Sequence, residues 1–234
     1  VRFTLARQAL EAFAGARPIS VLDAGCSEGS FSELLGRRHP GWSVEGVDID
    51  ASVIELAEVE IRRQNLRNVE VRVGDLTTAL PEAAYEAVAA LECLTLVADD
   101  EAALASMARA LKPGGLLVAH VPDKHWRPLL SSRDVFPGER RHGYTVSEIE
   151  ALVQKAHLEL RLIRPTTRNL GRLGRELAAR VDRAGLRARV VWFPFAVLIS
   201  GLERRGLTWG PATSYFFEAV RREAPVADEV NGQA

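Results

Sequence analysis

The sequence predicts a doubly wound α/β domain, an open and mostly parallel sheet with helices on both faces. Short apolar runs alternate with stretches whose apolar residues recur at helical spacing. The runs are continuous, as in strands buried on both faces, instead of alternating apolar with polar. Just after four successive runs stand carboxylates and glycines, at the strand ends where an open α/β sheet binds its ligands.

Each element has its own signal. Phe3 to Phe13 sets Phe3, Leu5, Ala6, Ala9, Leu10 and Phe13 at helical spacing and breaks at Gly15 and Pro18. This helix, within residues 1–17, is expected to pack on the core or the substrate site. Ile19 to Ala24 reads as the first strand, Ser30 to Arg38 as a helix, Ser43 to Val47 as the second strand and Ser52 to Gln64 as a helix. Val69 to Val73 is the third strand, Tyr85 to Leu91 the fourth, Asp99 to Leu111 a helix and Leu116 to Val121 the fifth strand. Thr145 and Glu148 form a capping-box pattern before an amphipathic helix running to Ala156, and Leu158 to Ile163 reads as a sixth strand.

Composition narrows the function. With 234 residues, 47% of them hydrophobic, the chain can bury one sizeable core. The formal net charge is −1, and no basic arm with interleaved aromatics is present, which argues against a nucleic-acid partner. The two cysteines, Cys26 and Cys93, do not suggest a disulfide framework. The residues show neither a leader nor an apolar stretch of about 18 or more, so a cytoplasmic location is expected. No metal site is read.

The strand ends carry the chemistry. Asp23, Gly25, Ser27 and Gly29 follow the first strand, Asp48 and Asp50 the second, Gly74 and Asp75 the third and Glu92 the fourth. A dinucleotide site also pairs a glycine loop with a second-strand carboxylate. Here, however, Ser27 and Ser30 stand where G-x-G-x-x-G needs its second and third glycines, so a close pyrophosphate approach is poorly supported. The reading is a nucleoside without phosphates.

These stretches resemble the class I S-adenosylmethionine-dependent methyltransferases of small-molecule type. Asp23-Ala-Gly25-Cys26-Ser27-Glu-Gly29 is similar to their glycine-rich motif with serine for the middle glycine, and Val44-Glu-Gly-Val-Asp48-Ile49-Asp50 to the motif that holds the ribose. Val73-Gly-Asp75-Leu76 resembles the one that takes the adenine, and Ala110-Leu-Lys-Pro-Gly-Gly115 the turn into the fifth strand. The resemblance implies S-adenosylmethionine as cofactor and S-adenosylhomocysteine as product, with Asp23, Gly25, Cys26, Ser27, Gly29, Asp48, Ile49, Asp75, Leu76 and Glu92 at the cofactor. It also implies a seventh, antiparallel strand, here delayed to about Thr213 to Arg221, so that the core covers 18–167 and 208–224.

The residues themselves agree with this. Asp48 can accept both ribose hydroxyls, and Gly25 and Gly29 let backbone pass close to a ligand. Asp23 either faces the cofactor's amine end or steadies its own loop and helix; Asp50 reads as a helix cap and Cys26 as a small loop packer. Glu92 reads as facing the methionine end or the acceptor, or as a solvated strand-end carboxylate. Where relatives show a histidine four residues beyond, this chain has Leu96.

The candidate general bases are His142, ranked first, and His125, each of which also has a purely structural reading; His120 falls within the fifth strand and reads as packed. Residues 168–207 form a helical insertion between the sixth and seventh strands, with Leu170, Leu173, Leu177, Val181 and Ala184 on one stripe. It is read as a cap over an apolar acceptor, a homodimer contact or, least favoured, a membrane contact. Residues 225–234 read as a disordered tail. The expected activity is methyl transfer to a small, fairly apolar acceptor, foremost at oxygen in secondary metabolism. The alternatives are a cyclase or rearrangement catalyst that binds the same cofactor, and a non-enzymatic nucleoside-binding module.

Overall fold

The computed structural model describes residues 1–78, 80–127, 140–167 and 210–222, together with Leu177, Pro194, Phe195, Leu198, Gly201 and Leu202, each of these six helical. The rest of the insertion predicted over 168–207, including most of its leucine stripe, and the tail at 225–234 lie outside the described residues. In chain order the elements are α1 (Arg2–Ala14), β1 (Ser20–Ala24), α2 (Ser30–Arg38), β2 (Ser43–Asp48), α3 (Ala51–Arg63), β3 (Val69–Val73), β4 (Tyr85–Leu91), α4 (Asp100–Ala110), β5 (Leu111–Pro122), α5 (Val146–Lys155), β6 (Leu158–Thr167) and β7 (Ser214–Arg221).

The seven strands form one sheet in the order β3-β2-β1-β4-β5-β7-β6. β1 to β5 pair in parallel, and β7 runs antiparallel to both β5 and β6. Strand order reverses between β1 and β4, which opens a crevice at their carboxyl ends. The continuous apolar runs divide between the two faces residue by residue. Val21, Ala89, Val118 and Phe216 pack with Leu10 of α1 and Leu35 of α2. Their chain neighbours Leu22, Val88, Leu117 and Phe217 pack with Met107 of α4 and Ile149 of α5. A strand that buries both of its faces needs no polar alternation, which is why the pattern looked continuous.

Side chains set the starts of α3, α4 and α5. Asp50 accepts from Ser52 N–H at 2.8 Å and Asp99 from Ala102 N–H at 2.8 Å. Thr145 and Glu148 close the capping box that their spacing predicts. Two strands exceed the sequence expectation. β5 begins at Leu111 rather than Leu116 because Leu111 pairs with Tyr85 and the register then shifts across the Lys112-Pro-Gly-Gly turn. β6 continues to Thr167 with a second register shift between Pro165 and Thr167; it is an edge strand, where proline is tolerated. Among the described residues no helix is long and apolar enough to cross a membrane.

Candidate functional site

A cavity of about 810 Å³ lies at the carboxyl ends of β1 to β4, within the range of small-ligand sites. Of the cofactor residues read from the sequence, Gly25, Ser27, Asp48, Ile49, Asp75, Leu76 and Glu92 line it. Asp23 in β1, Cys26 within the glycine turn and Gly29 at the N-cap of α2 are not part of that lining. The wall also holds Leu96, as the sequence suggested, and residues that the motifs did not point to, among them Arg2, Val53, Thr77, Leu91, Thr95 and Arg140. Leu96 stands half-exposed in that wall and makes it apolar at this point.

The turn after β1 is shaped by two left-handed residues, Gly25 at φ +71° and Ser27 at φ +51°. At Gly25 a Cβ would lie 2.4 Å from Cys93 Cβ, so only glycine lets the turn lie against β4. The N–H groups of Gly25 and Cys26 both donate to Val47 O, which ties the turn to β2. Ser27 N–H donates to Asp48 Oδ2 at 2.9 Å, and Asp50 N–H donates to Asp48 Oδ1 at 3.1 Å. The Asp48 carboxylate is thus held by one backbone donor on each oxygen, and an ionised carboxylate has about four acceptor directions, which leaves capacity toward the cavity. The Ser27 hydroxyl does not cap α2: its N-cap is Gly29, with no side-chain hydrogen bond.

Asp75 is fixed from the opposite side. Its Oδ1 accepts from Thr77 N–H and Thr77 Oγ1–H, both at 2.8 Å. The backbone N–H and then the hydroxyl of Thr77 hold this carboxyl below the usual range. Asp75 is ionised at neutral pH and presents an acceptor in the cavity wall.

Asp23 is buried, 2% exposed, and accepts from Ser32 Oγ–H at 2.7 Å. It thus links the turn to α2. Burial, partly offset by the Ser32 bonds, pushes its carboxyl up to about 6. The unfolded chain releases this proton near 3.8, so between about pH 4 and 6 the folded state binds more protons. Stability therefore falls as pH rises through that window, and the full cost of the buried charge is present above it. Asp23→Asn keeps an oxygen for Ser32 and removes the titration. In urea unfolding at pH 4.5 and 7, the variant is expected to lose less stability across the window than the parent, by on the order of 2 kcal/mol. Equal slopes contradict the assignment.

The two cysteines are buried and free. Burial pushes the Cys26 thiol up strongly and the Cys93 thiol up to about 12, so both pack as neutral groups. Gly29, at φ +76°, brings the start of α2 against Ala57 of α3, whose Cβ would lie 3.1 Å from an added Cβ.

Neither candidate histidine lines the large cavity. His125 is exposed, and its N–H donates to Asp123 Oδ1 at 2.8 Å. His142 is half-buried with Nε2 2.8 Å from Trp126 O, and it lines a second cavity of about 480 Å³. The two cavities share Val97, Ala98 and Arg140. Glu92 does line the large cavity, and its Oε1 meets Nδ1 of His120. His120 is buried, as expected of a strand residue, but both of its ring nitrogens are hydrogen-bonded. No sequence spacing joins Glu92 to His120. Their partnership follows from the parallel pairing of β4 with β5, where Leu91 stands opposite His120.

Comparison with known proteins agrees with this architecture. The profile of a family described as methyltransferase domain matches residues 2–163. Trans-aconitate 2-methyltransferase of Paracidovorax citrulli is 32% identical over 110 residues, 46% of this chain and 40% of that protein. (S)-Coclaurine N-methyltransferase of Thalictrum flavum subsp. glaucum is 30% identical over 115 residues, 47% of this chain and 32% of that protein. The matched region is thus less than half of either relative. Among solved structures, the cyclase SpnF superposes with a TM-score of 0.68 at 19% identity, covering 95% of this chain and 81% of that one. The chain belongs to the methyltransferase-domain family and has the fold of the class I S-adenosylmethionine-dependent methyltransferases.

Proposed function

We propose that the large cavity binds S-adenosylmethionine and that the chain transfers its methyl group to a small, fairly apolar acceptor, at oxygen. The observation that carries the reading is the pair of fixed carboxylates, Asp48 and Asp75, on neighbouring strand ends beside a glycine turn. Asp48 fits the ribose, offering two oxygens pre-oriented by Ser27 and Asp50. Asp75 fits the adenine amino group, with Ile49, Val53 and Leu76 as apolar surface for the ring. The turn at Gly25 and Ser27 fits the methionine part, since a side chain at Gly25 would push the turn off β4. Bound there, the cofactor supplies an electrophilic methyl on a sulfonium.

The chain's own work is then alignment, exclusion of water and handling of one proton. Leu91, Leu96, Val97 and Ala98 give the acceptor end an apolar wall, and Glu92 is its polar group. The relatives' printed names, one for trans-aconitate and one for (S)-coclaurine, support a small organic acceptor.

Incubating the chain with isotopically labelled cofactor and a panel of phenols, alcohols, carboxylic acids and amines tests the reading. The expected product gains one labelled methyl with formation of S-adenosylhomocysteine. Conversion of an acceptor without gain in mass would favour cyclisation or rearrangement, and binding without turnover across the panel a nucleoside-binding module.

A further inference from the structure

Glu92 stands at the tip of β4 with φ +69°, a left-handed conformation uncommon for a residue with a side chain. Strain of this kind persists where the surroundings enforce it, and it marks functional positions. Here the enforcement is visible. Glu92 N–H donates to His120 O at 2.9 Å, while its Oε1 meets His120 Nδ1. The Glu92 side chain is 24% exposed, in the cavity wall, whereas that of His120 is 3% exposed. Behind it, His120 Nε2 lies 2.9 Å from Thr166 Oγ1, which in turn is 3.2 Å from Ser214 Oγ and 3.3 Å from Ser214 O. A hydrogen-bonded chain therefore runs from the cavity through β5 to β6 and β7.

The chemistry of these groups fixes where protons sit. An ionised carboxylate only accepts, and an imidazole nitrogen without hydrogen only accepts, so Glu92 Oε1 and His120 Nδ1 must hold one proton between them. Thr166 has a single hydroxyl proton and two directions in which to donate it. With His120 neutral and protonated at Nδ1, Thr166 donates to Nε2. When Nε2 gains a proton it donates to Thr166 Oγ1, and the Thr166 hydroxyl turns to Ser214. The chain thus has two complete hydrogen-bond patterns that differ by one proton. Asp48, Asp50, Asp75, Arg2 and Arg140 share the cavity with Glu92, Cys93 follows it in sequence, and Arg164 lies over the ring of Phe216, which pairs with His120.

We propose that Glu92 takes the proton of a hydroxyl-bearing acceptor and that His120, its tautomer held by Thr166, is a positioning residue whose Nδ1–H orients the Glu92 carboxylate. The proposal rests on the methyl-transfer reading. In the step, the acceptor O–H bond breaks and its electron pair forms the new C–O bond. The C–S bond breaks with its pair going to sulfur, leaving a neutral thioether, and the proton goes to the Glu92 carboxylate. His120 Nδ1–H continues to donate to Glu92 Oε1, and the Thr166 hydroxyl continues to donate to Nε2, which holds that tautomer while the proton stays on the Glu92 carboxyl.

The test has a spectroscopic arm that needs no acceptor. In nitrogen-15 imidazole spectra of the full chain, with His120 assigned by comparison with His120→Asn, the wild-type Nδ1 is expected to stay protonated between about pH 6 and 8. Glu92→Gln is expected to move the His120 Nδ1–H resonance upfield, as a charge-assisted hydrogen bond gives way to a neutral one. An unprotonated Nδ1, or an unmoved resonance in Glu92→Gln, overturns the proposal. In the kinetic arm, Glu92→Gln is expected to lower kcat for a phenol or alcohol by about 100-fold or more. The loss for transfer to a carboxylate, which has no proton to give up, should be smaller by about tenfold or more. His120→Asn is expected to lower kcat for the hydroxyl acceptor and to shift its pH–rate profile, with S-adenosylhomocysteine affinity kept. Equal losses for both acceptor classes overturn the proposal. Absence of S-adenosylhomocysteine binding in the wild type signals failure of the methyl-transfer reading itself. Intact binding with an unmoved His120 resonance signals failure of the Glu92–His120 pair alone.

Discussion

Asp48→Ala is expected to weaken S-adenosylhomocysteine binding by about 100-fold or more, the largest effect of any single side chain in the cavity. Hydrogen bonds to a charged group contribute about 1.5–3 kcal/mol each, and the ribose offers two hydroxyls to this one carboxylate. Losing both costs about 3–6 kcal/mol, and about 1.4 kcal/mol is tenfold in affinity. The substitution also releases Ser27 N–H and Asp50 N–H, which Asp48 accepts at 2.9 and 3.1 Å, so the glycine turn loses a link to β2. Asp48→Asn retains one accepting oxygen without the charge, and its loss should be intermediate. Equilibrium dialysis measures both, with thermal unfolding as the check that each variant is folded. A loss below about threefold for the alanine variant would remove Asp48 from the ligand site, since one charge-assisted bond alone is worth more.

Gly25→Ala is expected to destabilise the fold and to impair binding together. The position has φ +71°, where a side chain costs about 1–2 kcal/mol. An added Cβ would also lie 2.4 Å from Cys93 Cβ and 3.2 Å from its Sγ. Cys93 is buried at the end of β4 and cannot turn its Cβ aside, so the turn itself must move; overpacking of this kind costs about 1–3 kcal/mol. The sum of about 2–5 kcal/mol corresponds to a fall in Tm of about 5–15 °C for a chain of this size. Adding Cys93→Gly removes the steric conflict and leaves the backbone strain, so the double variant should regain part of the loss. A Gly25→Ala protein with unchanged Tm and unchanged affinity would show that the turn does not need to lie against β4.

The sheet and most of the site were legible in the sequence because both are local in the chain. Each strand of a doubly wound sheet is a continuous apolar run, and these cavity-lining residues stand at the strand ends, so Asp48, Asp75 and Glu92 could be placed by position alone. The caps at Asp50 and Thr145 were legible for the same reason: donor and acceptor lie within three residues of each other.

What the sequence did not display depends on pairing between distant segments. Glu92 and His120 are 28 positions apart, and Thr166 lies 46 beyond His120; only the order of β4, β5, β7 and β6 brings them into one chain of hydrogen bonds. His125 and His142 looked eligible because they follow the fifth strand. The fold uses the peptide N–H of His125 for Asp123 and sets the ring of His142 against Trp126 O. Arg2 and Arg140 reach the cavity from the first residues of α1 and from a segment whose Arg140 N–H donates to Thr95 O at 2.8 Å, and neither carries a motif. Asp23 resembles a ligand residue in spacing, but burial and the Ser32 hydroxyl turn it inward beneath the turn.

The central claim is that the cavity at the ends of β1 to β4 is built for a nucleoside bearing a charged sulfur. Isothermal titration of the unaltered chain with S-adenosylmethionine and with S-adenosylhomocysteine tests it most directly. The account predicts saturable heat from both at one site per chain, lost in Asp48→Ala. A folded wild-type chain that gives no heat of binding with either compound would contradict it.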